Sequence, residues 1–254
     1  AEAGRLPDDR TVIVERFRDE LGDWQVVIHS PFGARVHAPW ALAIGSRLRA
    51  SLGMDVSVFH ADDGVVLRIA DTDDPGVWAT ITDAVLVDPD EIVGLVTEEL
   101  GGSALFAARF RECAARALLL PKRDPGKRAP LWQQRQRSAQ LLSVASRYAT
   151  FPIVLETVRE CMQDIFDICA LQEVLTGLDS GRIRLHECET ARPSPFATSL
   201  LFGYVAAYLY EGDSPLAERR AQALTLDAGL LAELLGETEL RDLLDPGALE
   251  AVEA

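Results

Sequence analysis

The sequence predicts an α+β fold, a small antiparallel β-sheet or partial barrel joined to an α-helical bundle, and two observations carry that reading. Residues 1–87 hold short stretches of alternating apolar and polar side chains set around turn signals, whereas residues 88–254 are dominated by apolar spacings of three and four. Alternation returns once, near 182–189. The expectation is therefore a mainly β portion over 1–87 with one helix, a mainly helical portion over 88–254 with one returning strand, and a single compact domain overall.

Each element has its own local reason. Residues 11–17 (TVIVERF) alternate, Asp19 to Asp23 form a turn, and residues 24–29 (WQVVIH) complete a hairpin. Residues 30–39 carry Pro31, Gly33 and Pro39 and read as a loop; the helical spacing of 40–52 stops at Gly53. Strands at 55–60 and 65–69 flank Asp63-Gly64, a second hairpin signal. Residues 71–76 are an acidic loop. Helices follow at 90–100, 103–120, 131–148, 152–167 and 171–178, then a fifth strand at 182–189 that returns to the early sheet. Ser194 caps and Pro195 opens an apolar helix reaching about residue 210, read as core or as a face for another domain, and short helices lead to an acidic tail.

Composition bounds the class. With 254 residues, 48% hydrophobic and 26% charged, the chain is globular and large enough for a sizeable core. It shows neither a long apolar membrane run nor a secretory leader, so the reading is a soluble, cytoplasmic protein without a membrane partner. Cys113, Cys161, Cys169 and Cys188 lack C-x-x-C spacing and read as reduced core residues.

Known catalytic patterns are missing. There is no G-x-x-x-x-G-K-[ST] phosphate loop, no G-x-S-x-G elbow and no H-E-x-x-H pair. The run from Val85 to Glu91 superficially resembles a strand ending in metal-binding acids, but Asp88-Pro89 and Asp90-Glu91 read better as a helix start. His60 with Asp62 and Asp63 is the one local cluster suited to a cation, and a hairpin tip accounts for it. No catalytic or metal-binding residue is assigned, and no cofactor is expected in this chain.

Charge is the informative quantity. The net charge of -15 argues against nucleic acid, yet residues 107–148 hold ten basic side chains against two acidic ones. On the helix expected at 131–148, Leu131, Leu141, Leu142, Ala145, Tyr148 and Ala149 share one side, and Trp132 falls opposite with Gln133, Gln136, Gln140 and Arg147. A tryptophan among arginines and glutamines suits stacking on a base beside phosphate contacts, or packing against a neighbouring domain. Arg109, Glu112 and Arg116 share a face on the preceding helix, where Glu112 is placed to pair with both arginines. The loop carrying Lys122, Arg123, Lys127 and Arg128 is the segment most suited to a phosphate backbone. Arg35 and His37, after Gly33 and before a helix start, offer a second phosphate contact or a well-capped loop.

The stretches Val14-Glu15-Arg16-Phe17, Ser30-Pro31-Phe32-Gly33, Ala38-Pro39-Trp40-Ala41, Pro130-Leu131-Trp132-Gln133-Gln134-Arg135 and Leu201-Phe202-Gly203-Tyr204 resemble the DEAD/H-associated region of Lhr proteins, the large helicase-related enzymes of superfamily 2. The resemblance implies an accessory region that follows two RecA-like motor domains and a winged-helix domain. It implies a parent ATP-dependent helicase that moves 3'-to-5' on single-stranded DNA, unwinds duplexes including RNA:DNA hybrids, and binds ATP and Mg in its motor domains, with DNA repair as the setting. Combined with the basic block, it gives the expectation of an accessory nucleic-acid-binding domain. In it Lys122, Arg123, Lys127, Arg128, Arg135 and Arg147 bind phosphates, Trp132 stacks, and Arg35 with His37 adds a contact; the partners are single-stranded DNA or an RNA:DNA hybrid. The rival is a structural buttress whose basic face docks on the motor and winged-helix domains. A metal hydrolase using His60, Asp62 and Asp63 is a distant third.

Overall fold

The computed structural model describes residues 5–19, 22–54, 56–70, 72, 76–120, 131–148 and 150–210. The fold is α+β. Its parts interleave along the sequence instead of meeting at one boundary near residue 87: one compact unit takes Ala1–Pro31, Val56–Asp73 and Leu185–Ala254, the other Phe32–Asp55 and Asp74–Arg184.

The first unit is built on β1 (Thr11–Arg18), β2 (Trp24–His29), β3 (Val56–Ala61), β4 (Gly64–Ile69) and β5 (Arg184–Glu189), in the order β3-β4-β2-β1-β5. Both hairpins form as their turn signals predict, Arg18 pairing with Trp24 and Ala61 with Gly64. The returning strand takes the edge beside β1, where the Thr190 amide donates to the Arg16 carbonyl at 3.0 Å and Arg16 meets Glu189 at 3.1 Å. Register puts Phe17, Val27 and Val66 on one face, since a period of two sends alternate side chains to the same side. The apolar helix α8 (Pro195–Tyr210) lies across that face. Its Ala197, Leu200, Leu201, Tyr204 and Val205 complete the core with Phe59 and Ala61, while Phe196 and Phe202 stay exposed. Tyr204 meets Phe59 edge-on with ring centroids 5.9 Å apart.

One glycine here is required by close approach. A Cβ on Gly64 would press into the Ile28 carbonyl of the neighbouring strand, which cannot retreat without breaking the β2–β4 ladder. Gly64→Ala is expected to lower stability by about 3 kcal/mol, checked by urea unfolding. A variant as stable as the native chain would remove the argument.

The second unit is helical: α1 (Ala34–Leu52), α2 (Val77–Val85), α3 (Ile92–Leu100), α4 (Ala104–Arg116), α5 (Leu131–Ala145), α6 (Pro152–Glu160), a widened π-helical turn (Cys161–Ile165) and α7 (Ile168–Asp179). α1 packs against α2, α3 and α7, burying Trp40, Ile44 and Leu48 completely.

Three expectations are corrected. The loop expected at 30–39 ends early, because α1 begins at Ala34 and carries Pro39 inside it. Proline has no N–H for the carbonyl four residues back, and the Arg35 carbonyl is instead satisfied by the Asp167 amide at 3.0 Å. α2 has no counterpart among the expected helices, since Val77, Thr80, Ile81, Thr82 and Val85 are β-branched and poor helix formers. Burial of Val77, Ile81, Ala84 and Val85 along one face outweighs that preference. The helix expected over 152–167 is divided into α6 and the π turn, with Phe166 and Asp167 leading into α7. Ser103 caps α4 as its position suggests, accepting from the Phe106 amide at 3.1 Å, although α4 ends at Arg116. The acidic tail at 211–254 lies outside the described residues.

No described helix is long and apolar enough to cross a membrane. The four cysteines are free thiols; Cys113 and Cys161 are buried, whereas Cys169 is exposed instead of in the core. Burial pushes the Cys161 thiol up to about 11, so it stays protonated.

Candidate nucleic-acid interface

The basic block is carried by α4 and α5, held together by a small core of Phe110, Ala114 and Ala145 with Leu120, Leu141, Leu142, Phe151, Ile153 and Val154 against it. The inward side of α5 agrees with the spacing for Leu141, Leu142 and Ala145, and Ser138 is buried beside them. Tyr148 is not inward: the helix ends at Ala145, and the tyrosine ring stands in solvent. With its apolar face committed, α5 turns Arg135, Gln136, Arg137 and Gln140 outward, and Arg147 is exposed just past its end.

Two of the three arginines of α4 are spent internally. Arg109 donates to Glu112 at 2.7 Å, and Arg116 pairs with Glu160 of α6 and donates to the Cys113 sulfur at 3.2 Å. Glu112 thus takes one arginine, not two, since Arg116 reaches the buried Glu160 instead. A carboxylate already holding a guanidinium leaves less positive field for a phosphate. Arg111, Arg137 and Arg147 form no ion pair among the described residues, so they are the cations with field to spare. Arg111 and Arg137 belong to the basic block without standing out in the sequence, because counting charge does not show which charge is already paired.

Trp132 is the second residue of α5. Lys122, Arg123, Lys127 and Arg128 lie outside the described residues. Arg35 is exposed, but its guanidinium donates to the carbonyls of Asp164 (3.0 Å) and Ile165 (3.1 Å), fastening the start of α1 to the π turn. His37 is 0% exposed and has no surface from which to reach a phosphate. Of the two residues read as a second phosphate contact, Arg35 anchors the helix and His37 is enclosed, because α1 begins before both of them instead of after them.

Elsewhere in this unit an open groove of about 530 Å³ is bordered by Arg47, Asp88, Glu91, Leu175 and Asp179. Three carboxylates against one guanidinium, itself paired with Asp83, repel a polyanion. Among the described residues no group of three or more His, Cys, Asp or Glu side chains is placed to hold a metal ion.

Comparison with known proteins identifies the family to which the chain belongs. The DEAD/H associated family matches residues 6–197. The Lhr helicase/probable uracil glycosylase of Mycolicibacterium smegmatis is 60% identical over 99% of this chain and 16% of its own length; the Lhr helicase/uracil glycosylase of Escherichia coli is 53% identical over 98% and 16%. The ATP-dependent helicase Lhr-Core of Saccharolobus solfataricus is 28% identical over 78% and 23%. The chain therefore spans about a sixth of the length of the two bacterial relatives. A solved structure of Mycobacterium smegmatis helicase Lhr bound to ssDNA and AMP-PNP matches 80% of this chain and 25% of its own, with 58% identity and a TM-score of 0.73. Sequence match and fold agree over most of its length: the chain belongs to the DEAD/H associated family, a region it shares with Lhr helicases.

Proposed function

We propose that this chain is the accessory nucleic-acid-binding domain of an Lhr-type ATP-dependent helicase, and that the outer face of α5 with the basic residues of 121–130 holds the single-stranded tracking strand. The observation that carries the reading is the uneven use of the basic block: Arg109 and Arg116 are paired with glutamates, whereas Arg111, Arg137 and Arg147 form no such pair among the described residues. The bacterial relative of the same fold, solved with ssDNA, supports it. Lys122, Arg123, Lys127, Arg128, Arg135 and Arg147 remain the phosphate-binding set, now joined by Arg111 and Arg137, and Trp132 stacks on a base. ATP and Mg would be bound by motor domains of the longer protein, with 3'-to-5' movement on DNA or an RNA:DNA hybrid.

Single-strand DNA binding across a salt series tests this. Removing the charges of Arg137 and Arg147 is expected to reduce the slope of log affinity against log salt by about 0.7 for each phosphate no longer neutralised. Trp132→Ala should weaken binding at every salt concentration without changing the slope. A folded native chain that binds no strand would overturn the proposal and assign the basic face to docking within the longer protein.

A further inference from the structure

Tyr148 stands just past the end of α5, at the bend into α6, and is 63% exposed. Both of its backbone polar groups are committed: the Tyr148 amide donates to the Ala145 carbonyl at 2.9 Å, and the Tyr148 carbonyl accepts from the Phe151 amide at 2.9 Å. Ala145 is buried, and Phe151 packs against the Phe110–Ala114–Ala145 core, so the bend is fixed at both ends and the ring is held outward. Val144, four residues earlier, is 54% exposed. A tyrosine on a fixed backbone has only two side-chain torsions to lose on binding, which makes it a large contact surface at low entropic cost.

The charge around this bend selects the occupant. Arg147 adjoins Tyr148 and is exposed; Arg137 is exposed two turns before Val144, on the same side of α5. Neither arginine forms an ion pair among the described residues. No Asp or Glu occurs between Leu131 and Leu155. The carboxylates nearest in the packing are already held, Glu112 of α4 by Arg109 at 2.7 Å and Glu156 of α6 by Arg159 at 2.7 Å. A face that offers an aromatic ring and cations without a competing carboxylate suits a ligand whose flat rings are strung on anions, which is a single-stranded nucleic acid. We propose that Tyr148 is a stacking platform for a base of the bound strand, with Val144 packing beside it and Arg147 and Arg137 on the phosphates. This rests on the strand-holding reading above and deepens it, since it adds a base contact at the bend between α5 and α6.

The test uses the full chain with a labelled oligothymidylate and an abasic strand of equal length, which keeps the phosphates and lacks the bases. Tyr148→Ala and Tyr148→Phe remove mostly exposed atoms and no backbone hydrogen bond, so both should melt as the native chain does. Tyr148→Ala should bind oligothymidylate about tenfold more weakly with an unchanged salt slope, because a stacked ring is lost and no phosphate contact is. Tyr148→Phe keeps the ring and should bind as the native chain does, and all three proteins should bind the abasic strand alike. Native affinity for oligothymidylate in Tyr148→Ala would overturn the platform, while salt-dependent binding by the native chain left strand-holding standing. A loss in Tyr148→Phe as large as in Tyr148→Ala, or an equal loss on the abasic strand, would also overturn the platform alone. No binding of either strand by the folded native chain would overturn both readings and assign the face to docking on another protein domain.

Discussion

Glu15→Ala is expected to destabilise the sheet unit by about 3–5 kcal/mol, the cost typical of removing one partner from a buried, hydrogen-bonded charge. The carboxylate is 1% exposed and fully satisfied. One oxygen accepts from the Thr190 hydroxyl at 3.1 Å and the Ser194 amide at 2.7 Å; the other accepts from the Ser194 hydroxyl at 2.6 Å and His29 Nε2 at 2.8 Å. The Ser194 hydroxyl also caps α8 by accepting from the Ala197 amide at 3.2 Å. A single side chain thus joins β1, β2, the end of β5 and the start of α8. Alanine would leave several buried donors unpaired, each at a cost of about 1–3 kcal/mol.

The same group makes stability depend on acid. Burial pushes the Glu15 carboxyl up, but the hydrogen bonds from His29 and Ser194 outweigh it and hold the group down at about 2, against 4.5 for an ordinary glutamate. A depressed folded value means that its stabilisation is complete above about pH 4.5 and is lost as pH falls toward 2. That difference corresponds to roughly 3 kcal/mol. Urea unfolding at neutral pH and near pH 3 checks both parts: Glu15→Gln should be less stable at neutral pH and lose less on acidification than the native chain. Parallel pH curves for the two proteins would refute the assignment.

Trp40→Ala is expected to cost the helical unit about 3–5 kcal/mol, by removing a large buried side chain and leaving a cavity. Trp40 is 0% exposed, and its indole Nε1 donates to the Val85 carbonyl at 3.0 Å. Val85 is the last residue of α2, so the indole satisfies one of the carbonyls that every helix leaves open at its end. Trp40→Phe separates the two contributions: most of the volume remains, the donor is gone, and a smaller loss of about 1–2 kcal/mol is expected. If both variants melt together within error, the hydrogen bond rather than the packing carries the site.

These two hubs explain why the stretches around Glu15 and Trp40 read so distinctively. Glu15 in an alternating strand has the pattern of a solvent-facing residue, and nothing local shows that Thr190 and Ser194 return to meet it. Trp40 follows a proline that argues for a loop. The structure instead runs α1 through Pro39 and supplies the missing donor from Asp167, while Arg35 ties down carbonyls about 130 residues away in sequence.

The candidate site shows the same division. Local charge is visible along the chain, as is the inward stripe of α5, because both depend on neighbours within a few residues. Which arginines keep their field is not, since Arg116 is paired with Glu160, 44 residues on. His37 beside Arg35 has the pattern of an available side chain, but α1 starts earlier than its proline suggests and carries it inside.

By itself, the sequence determined the hairpins, the returning strand, most helices and the basic block, because alternation, turn chemistry and charge density act over a few residues and hardly depend on what packs later. Tertiary structure alone decided that α2 is a helix, that Glu15 is a buried hub, that Arg35 anchors, and that Tyr148 is held in solvent. Each of these depends on a partner, or on the lack of one, that is distant in the chain; hydrogen-bond satisfaction and burial are settled in space, after the local preferences have had their effect.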